Sequence, residues 1–266
     1  MIFQSPILSK RLVAVCGKGG TGKTVFAAMA TRVLVESHRA GKLLLIDADP
    51  AMNLPNVLGV NVKRTMGQVR EEIIKTARSS SEAEKAQLSD MLDYMVLEAL
   101  YETDNFALLA MGRTETLGCF CPVNDLLRGA IETLSRSFDT IIVDGEAGLE
   151  QLNRQVMRRV DTLVIVSDAT SRGLRTAALI KGMVQNDRVI QCEKMGLVFN
   201  RVQGSEGLLQ QFAQETGLPV FGYIPYDENI AYHDLLGKPL TEAPASPALA
   251  AVRDIVQRCI FSERFG

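Results

Sequence analysis

The sequence predicts an α/β fold: a mainly parallel sheet of about seven or eight strands with helices on both faces. Short apolar runs rich in β-branched residues alternate with helix-like stretches along the chain, and such runs are typical of strands buried on both faces. A glycine-rich loop between the first run and the first helix-like stretch indicates the same class. The predicted strands are 12–16, 43–46, 106–111, 140–143, 162–166, 195–199 and 220–224.

The chain is expected to form one domain over residues 1–266. It contains 47% hydrophobic and 23% charged residues, which is enough apolar mass for a large buried core, and no Pro- or Ser-rich linker divides it. Residues 61–105 are polar and helix-forming, with Ser81 and Glu84 at capping-box spacing. We interpret this part as a helical insertion that either covers the sheet or docks a partner.

Charge and hydropathy exclude several function classes. The net charge is −2, from 29 basic and 31 acidic residues without a basic run, so no nucleic-acid partner is expected. No apolar run approaches the ~18 residues that span a bilayer, and no signal-peptide pattern is present; we expect a cytoplasmic protein that does not bind membranes. Five cysteines, an odd number, favour metal or redox chemistry over a disulfide framework.

A phosphate-binding loop follows the first predicted strand. Residues 17–24 read GKGGTGKT and satisfy the G-x-x-x-x-G-K-[ST] pattern in its required setting of strand, loop and helix. The glycines let backbone N–H groups turn toward phosphates, Lys23 can reach the β- and γ-phosphate oxygens, and the Thr24 hydroxyl can bind Mg²⁺. The predicted nucleotide-binding residues here are Gly17, Lys18, Gly19, Gly20, Thr21, Gly22, Lys23 and Thr24.

Lys18 narrows the class of nucleotide-binding protein to which this loop can belong. The second lysine makes KGGTGKT similar to the deviant Walker A motif of the P-loop NTPases that include MinD, ParA and the nitrogenase iron protein. That resemblance implies a homodimer formed face to face around two ATP molecules, in which Lys18 crosses to the partner's phosphates. A cation supplied in trans can neutralise charge that develops on the phosphoryl oxygens, so Lys18 is a predicted catalytic residue.

Two carboxylates fit the same resemblance. Asp49, in the segment 47–50 after the second predicted strand, occupies the switch I position, and Asp144 occupies the Walker B position before a possible switch II at 145–148. The resemblance implies that Asp49 orients the attacking water and that Thr24, Asp49 and Asp144 hold Mg²⁺. Asp47 is predicted to be structural.

The sequence signals for a site that binds the nucleotide base are weaker. Asn200 and Arg201 follow a predicted strand at the position where relatives use an Asn amide to contact adenine, and Pro225 lies in a segment, 224–227, that resembles the loop over the base. An Asn after a strand is also a common turn residue, so both interpretations stay open here.

Cys119 and Cys121 form a C-x-C pair in a loop. Two thiolates supply half of a tetrahedral metal shell, and two copies meeting at a twofold axis would supply all four ligands for Zn²⁺ or another thiophilic metal. The other cysteines are predicted to be structural, and the histidines lack metal-ligand spacing: Cys16, Cys192, Cys259, His38 and His233.

The combination of the deviant loop, the C-x-C pair, DADPAMNLP and DGEAG resembles the CooC-type nickel-insertion ATPases. This resemblance implies that Cys119 and Cys121 bind Ni²⁺ or Zn²⁺ at the homodimer interface, and that ATP hydrolysis drives nickel delivery to carbon monoxide dehydrogenase or acetyl-CoA synthase.

Two alternatives stay open. One is an electron-transfer ATPase resembling the nitrogenase iron protein, although 145–153 lacks that protein's second cysteine. The other is a positioning ATPase like MinD or ParA. Because the basic residues of the segment 251–266 are offset by Asp254 and Glu263, we predict a helix packed on the sheet rather than a membrane anchor.

Overall fold

The computed structural model describes residues 10–79, 82–113, 121–146, 149, 156–204 and 206–261, with the side chains of 77–90, 121 and 122 outside that description. Within these ranges eight strands form one sheet. They are β1 (Arg11–Cys16), β2 (Leu43–Asp47), β3 (Leu100–Glu102), β4 (Ala107–Ala110), β5 (Thr140–Asp144), β6 (Arg159–Ser167), β7 (Gln191–Val202) and β8 (Val220–Pro225).

Nine α-helices lie in the same part of the chain. They are α1 (Lys23–Ser37), α2 (Asn53–Leu58), α3 (Met66–Ser79), α4 (Glu82–Ala99), α5 (Cys121–Ser135), α6 (Ser171–Gln185), α7 (Glu206–Thr216), α8 (Glu228–Leu235) and α9 (Pro247–Val256). A 3₁₀ turn (Leu240–Glu242) precedes α9, and a π-helical turn (Gln257–Phe261) follows it. None of the helices described is both long and apolar enough to cross a membrane.

The sheet has the order β3-β4-β2-β5-β1-β6-β7-β8, and the β3–β4 pairing is antiparallel while the others are parallel. The predicted α/β class with a mainly parallel sheet is therefore confirmed. Register aligns Val15 with Asp144 and Asp144 with Asp47. The loops after β1, β2 and β5, which carry the predicted phosphate loop and both switch segments, consequently leave from one edge of the sheet.

Strand β3 was not predicted from the sequence. It lies inside the segment 61–105, which was expected to be helical, and only three residues pair it with β4 at the end of the sheet. A strand of that length shows no period-2 alternation and is therefore indistinguishable from a helix end by pattern. Glu84 lies in α4, and its predicted capping partner Ser81 lies outside the described residues.

Helices cover both faces of the sheet. On one face α3, α4, α5, α6 and α7 pack in one apolar cluster, and on the other α1, α2, α8 and α9 pack in a second. The apolar side chains of α9 belong to the second cluster: Val252, Ile255 and Val256 are each at most 2% exposed. The C-terminal segment therefore packs on the sheet as far as it is described, as predicted.

Helix α3 is attached directly to the end of β4. The Gly67 N–H donates to the carbonyl of Met111 at 2.7 Å, and a Cβ on Gly67 would lie 2.3 Å from the carbonyl oxygen of Arg113. Only glycine allows the helix to approach this backbone so closely. This contact positions the chain where it leaves the sheet toward residue 114.

We expect Gly67→Ala to lower the free energy of unfolding by about 1–3 kcal/mol, because the methyl group would collide with backbone that cannot rotate away. Gly129→Ala is the matched control. Gly129 lies inside α5, and a Cβ there meets no atom within 4 Å, so alanine should leave stability unchanged or raise it by up to about 1 kcal/mol. Urea denaturation measures both, and equal effects would contradict the proposed contact.

Candidate functional site

The phosphate loop has the backbone that its glycines predict. Gly17 has φ 139°, and a Cβ there would lie 2.1 Å from the carbonyl oxygen of Val166 in β6. Gly22 has φ 88° and precedes α1, which begins at Lys23. The first N–H groups of α1 therefore point out of a left-handed turn with no side-chain cap, which is the arrangement that binds anions at helix N-termini.

Internal hydrogen bonds hold the loop closed. The carbonyl oxygen of Lys18 accepts from the Thr21 hydroxyl at 2.9 Å and from the Lys23 ammonium at 3.3 Å. The Asn200 side-chain amide donates to the carbonyl oxygen of Thr21 at 2.8 Å, so the end of β7 supports the loop from below. Lys23 is thus held over the loop, where it can exchange an intramolecular acceptor for a phosphate oxygen.

Lys18 contacts an acidic residue that the sequence analysis did not identify. Its ammonium lies 3.3 Å from a carboxylate oxygen of Asp168, which directly follows β6, and the two side chains are 31% and 34% exposed. Burial would raise the pKa of Asp168, but the hydrogen bond from Thr170 and the Lys18 ammonium outweigh it and lower that pKa below its ordinary value. In this structure the predicted trans-acting lysine is therefore paired within its own chain.

Asp144 lies at the end of β5 beneath the loop and is 1% exposed. Neither carboxylate oxygen has a well-directed hydrogen-bond donor in the described part of the chain. Burial raises the pKa of Asp144 to about 7, and the nearby Thr24 hydroxyl and Lys23 ammonium offset only part of that rise. A buried carboxylate whose nearest donor, the Thr24 hydroxyl, is poorly directed fits a place beside a Mg²⁺ ion, whose bound waters would donate to it.

Asp47 organises the segment after β2. One carboxylate oxygen accepts from the Asp49 N–H at 3.0 Å and the other from the Leu54 N–H at 3.1 Å, which ties the start of α2 to the sheet. Burial and the nearby Asp144 raise the pKa of Asp47 to about 7. Its side chain is committed to the backbone, and this matches the predicted structural role.

A cavity of about 490 Å³ opens above the phosphate loop. Asp49 faces it, with one carboxylate oxygen accepting from the Ala51 N–H at 2.9 Å. The lining combines the loop, both switch segments and residues from distant elements: Gly19, Gly20, Gly22, Lys23, Thr24, Val25, Asp49, Asn53, Val57, Glu146, Arg201 and Asp234. The structure therefore gathers Lys23, Thr24 and Asp49 around one space, with Asp144 below it.

A second cavity, of about 350 Å³, lies beside the first, between α1, α8 and the end of β8. Asn200, Arg201 and Pro225 all line it. Arg201 has φ 57°, and its N–H donates to the side-chain oxygen of Asn200 at 3.0 Å. Since one Asn200 N–H is already donated to Thr21, contact of this amide with adenine stays a prediction.

The predicted metal ligands fall largely outside the described residues. Cys119 lies outside them, as does Gly148 of the predicted switch II, whereas Cys121 is the first residue of α5 with its side chain undescribed. Within the ranges given above, no group of three His, Cys, Asp or Glu side chains could hold a metal ion. Cys16 and Cys259 are buried and Cys192 is half-buried, and burial raises the pKa of all three thiols.

Two site residues escaped the sequence analysis. Asp168 carries a signal that could have found it, because an Asp at the end of an apolar strand run lies at the functional edge if that strand neighbours β1. Asp234 carries no comparable signal: it is one acidic residue in a short helix, and only the packing of α8 places it beside the phosphate loop.

The fold and site define a P-loop nucleotide-binding protein, and comparison with known proteins gives the family. The family model described as CobQ/CobB/MinD/ParA nucleotide binding domain matches residues 12–240. The chain belongs to this family, and it is an ATP-binding ATPase of the MinD/ParA type.

Individual relatives share nearly the full length. The chain is 36% identical to an uncharacterized ATP-binding protein of Methanocaldococcus jannaschii, covering 96% of this chain and 100% of the relative. It is 30% identical to the carbon monoxide dehydrogenase accessory protein CooC of Rhodospirillum rubrum, covering 85% and 87%. Among solved structures, the cell division ATPase MinD of Pyrococcus furiosus superposes with a TM-score of 0.66 at 25% identity, covering 93% and 97%.

The structure of MinD from Pyrococcus horikoshii, solved with Mg-ADP, has a TM-score of 0.65 at 24% identity and covers 93% of this chain and 95% of that one. At this identity the similarity shows the fold.

Asp144→Asn should stabilise the protein without Mg²⁺ or nucleotide near neutral pH. Because the folded pKa of about 7 lies above the ordinary value of 3.8, the wild type loses unfolding free energy as pH rises from about 4 to about 7, and the loss is complete above that. The variant lacks this loss, so it should be about 1–3 kcal/mol more stable at pH 7.5 than the wild type.

Urea denaturation in EDTA between pH 5 and 8 measures this difference. Asp47→Asn is the control, because its carboxylate accepts two backbone N–H groups and an amide would place a donor against one of them. Because burial raises the pKa of Asp47 to about 7 as well, that variant also escapes the loss at high pH, but its misplaced donor should make it less stable than Asp144→Asn at every pH. An Asp144→Asn protein that is destabilised at pH 7.5 would contradict the uncompensated burial of Asp144.

Proposed function

We propose that this protein is an ATP-dependent metallochaperone, in which a homodimer linked to nucleotide and metal uses ATP hydrolysis to drive nickel insertion into a carbon monoxide dehydrogenase-type enzyme. The observation that carries the proposal is the C-x-C pair, Cys119 and Cys121, in a chain that also has a deviant phosphate loop. The 30% identity to a carbon monoxide dehydrogenase accessory protein over most of both chains supports it.

The arrangement of the site supports the nucleotide half of the mechanism. The N-terminus of α1 and the Lys23 ammonium would bind the β- and γ-phosphates of ATP, and Thr24 and Asp144 would hold Mg²⁺, the first through its hydroxyl and the second through water. Magnesium neutralises charge on the phosphate oxygens when bound. Asp49, whose carboxylate faces the cavity from the segment after β2, orients the water that attacks the γ-phosphate.

Lys18 would complete the site of the partner subunit. Its bond to Asp168 joins two side chains that are each about one-third exposed, and exposed ion pairs contribute only about 0–1 kcal/mol. Moving the ammonium from Asp168 to a phosphate of the partner's ATP therefore costs little and gains a stronger charge-assisted contact. Hydrolysis would then be fast only in the dimer, because each site lacks this cation otherwise.

The position of the cysteine segment is compatible with a shared metal site. Strand β4 lies next to β2, and the Met111 N–H donates to the Asp47 carbonyl at 2.8 Å. The chain therefore leaves β4 at the same edge of the sheet as the segment carrying Asp49, and it returns at Cys121, where α5 begins. A dimer that closes over this edge would bring together the starts of the two α5 helices, each of which begins at Cys121.

Nucleotide and metal would act on the same equilibrium, the one between the open state and the closed dimer. If ATP and nickel ion both bind the closed dimer better than the open state, each raises the apparent affinity for the other. Hydrolysis removes the γ-phosphate, weakens the closed state and so weakens the thiolate site, which would release the nickel ion to a client. In this scheme the metal is the cargo of the ATP cycle.

We expect Ni²⁺ or Zn²⁺ to shift the wild-type protein from monomer to dimer, and the double variant Cys119→Ser/Cys121→Ser to stay monomeric at the same metal concentration. Thiolates bind these ions far better than hydroxyls do. Sedimentation velocity with and without metal measures the shift. Cys192→Ser is the matched control, because burial raises the pKa of that half-buried thiol and disfavours its thiolate, so metal-induced dimerisation should persist.

Equal metal-induced dimerisation of the double variant and the wild type would contradict the shared thiolate site. A brown, iron-containing protein from anaerobic purification would instead support the alternative of an electron-transfer ATPase with an iron–sulfur cluster. Retention of ATP hydrolysis by the double variant is compatible with the proposal, since the metal ligands are separate from the phosphate site.

A further inference from the structure

The outward side of α4 carries large apolar side chains. Met91, Tyr94 and Leu97 are 54%, 63% and 54% exposed, whereas Leu92 and Val96 of the same helix are buried against the sheet. A helix that covers a sheet is expected to have polar residues on its outer side. The three exposed side chains recur at intervals of three residues and are therefore neighbours on the helix surface. We call this surface the α4 face.

A polar network borders the α4 face and holds its aromatic residue. The Tyr94 hydroxyl donates to the Glu98 carboxylate, and this hydrogen bond raises the pKa of the hydroxyl. The Arg64 guanidinium pairs with Glu98 and also, at 2.5 Å, with Glu72 of α3. Since an aromatic side chain that is already held loses little conformational freedom on binding, Tyr94 is prepared for contact with a partner.

The charge of this border limits what can dock on the α4 face. Glu72 and Glu98 oppose the single positive charge of Arg64, and the exposed Asp93 adds a third carboxylate, so these side chains are net negative. Such a border repels anionic lipid and nucleic acid. A second copy of this chain placed by a twofold axis would bring the same negative charges together. A protein with basic residues around an apolar patch is complementary.

The α4 face also lies close to the segment that leads to the cysteine pair. Strand β3 follows α4 directly and runs antiparallel to β4, with Leu100 opposite Leu109, so α4 ends at the edge of the sheet where β4 ends. Helix α4 packs against α5, and α5 begins at Cys121. A partner on the α4 face would therefore contact a helix that adjoins the start of α5.

We propose that the α4 face is the docking surface for the protein that receives the nickel ion, and that this partner presents an apolar patch bordered by lysine or arginine residues. The inference rests on the proposed metallochaperone function. Tyrosine, methionine and arginine are enriched at protein interfaces, and a few central side chains carry most of the binding free energy. Tyr94 and Leu97 are the expected central contacts.

The test measures binding of nickel-free carbon monoxide dehydrogenase to this protein by biolayer interferometry. The double variant Tyr94→Ala/Leu97→Ala should bind at least about tenfold more weakly than the wild type, because it removes both central contacts. Alanine is a strong helix former, and both positions are exposed. The variant should therefore fold, and its circular dichroism and its affinity for ATP should match those of the wild type.

The double variant Leu208→Ala/Phe212→Ala is the matched control. It removes two exposed apolar side chains from α7, which packs on β8 at the opposite end of the sheet from β3, so binding should stay within about twofold of the wild type.

Asp93→Lys tests the charge of the border separately. It should slow association by about tenfold at low ionic strength, and the difference from the wild type should shrink as salt is added, because salt screens charges at the rim of an interface. Association that is unchanged or faster would contradict a partner with a basic border.

Equal binding of the dehydrogenase by the wild type and the α4 double variant would overturn the docking surface, and so would a wild type that does not bind. Self-association of the metal-free protein that is lost in the same variant would assign the α4 face to a second copy and would also overturn the proposal. Metal-induced dimerisation is measured without the dehydrogenase. A protein that binds the dehydrogenase through α4 but fails to dimerise with Ni²⁺ or Zn²⁺ would contradict the shared metal site alone, so the two failures are distinguishable.

Discussion

The buried carboxylate of Asp144 is the feature around which the site is organised. It sits at the end of the strand between β1 and β2 with both oxygens buried and without well-directed donors in the described part of the chain. Burial of such a group costs free energy, and a bound Mg²⁺ ion with its waters would supply the missing donors. Binding of Mg-ATP would therefore offset the free-energy cost of burying Asp144.

The parallel sheet places the loops of the site next to one another. Because β4, β2, β5, β1 and β6 run in the same direction, their outgoing loops share one edge, and a change at one loop meets its neighbours directly. Asp47 connects two of these neighbours: its side chain holds the segment with Asp49, and its carbonyl accepts from Met111 at the end of β4. The segment with Asp49 and the end of β4, from which the chain leads toward Cys119, are therefore adjacent through one residue.

The sequence predicted those parts of the site that belong to short, contiguous motifs. A predicted strand ends shortly before each of residues 17–24, Asp49 and Asp144. The strand predictions were therefore enough to place these residues at one edge of the sheet. Lys18's partner Asp168 is 150 residues away in the chain, and Asp234 lies at the cavity only because of where α8 packs. Both placements depend on strand order and helix packing, which a single sequence does not encode locally. For Asn200 the contact with adenine stays a prediction, and its amide supports the phosphate loop, which no local pattern indicated.

The proposed action of Lys18 in trans is tested most directly by mixing two inactive variants. Lys18→Ala should bind ATP yet hydrolyse it very slowly, and Asp49→Ala should also be inactive. In a mixed dimer, the intact Lys18 of the Asp49→Ala subunit completes the site of the Lys18→Ala subunit. An equal mixture should recover about a quarter of wild-type ATPase activity, since about half of random dimers are mixed and each has one complete site. No recovery above the sum of the two variants, or wild-type turnover by Lys18→Ala alone, would contradict the trans role.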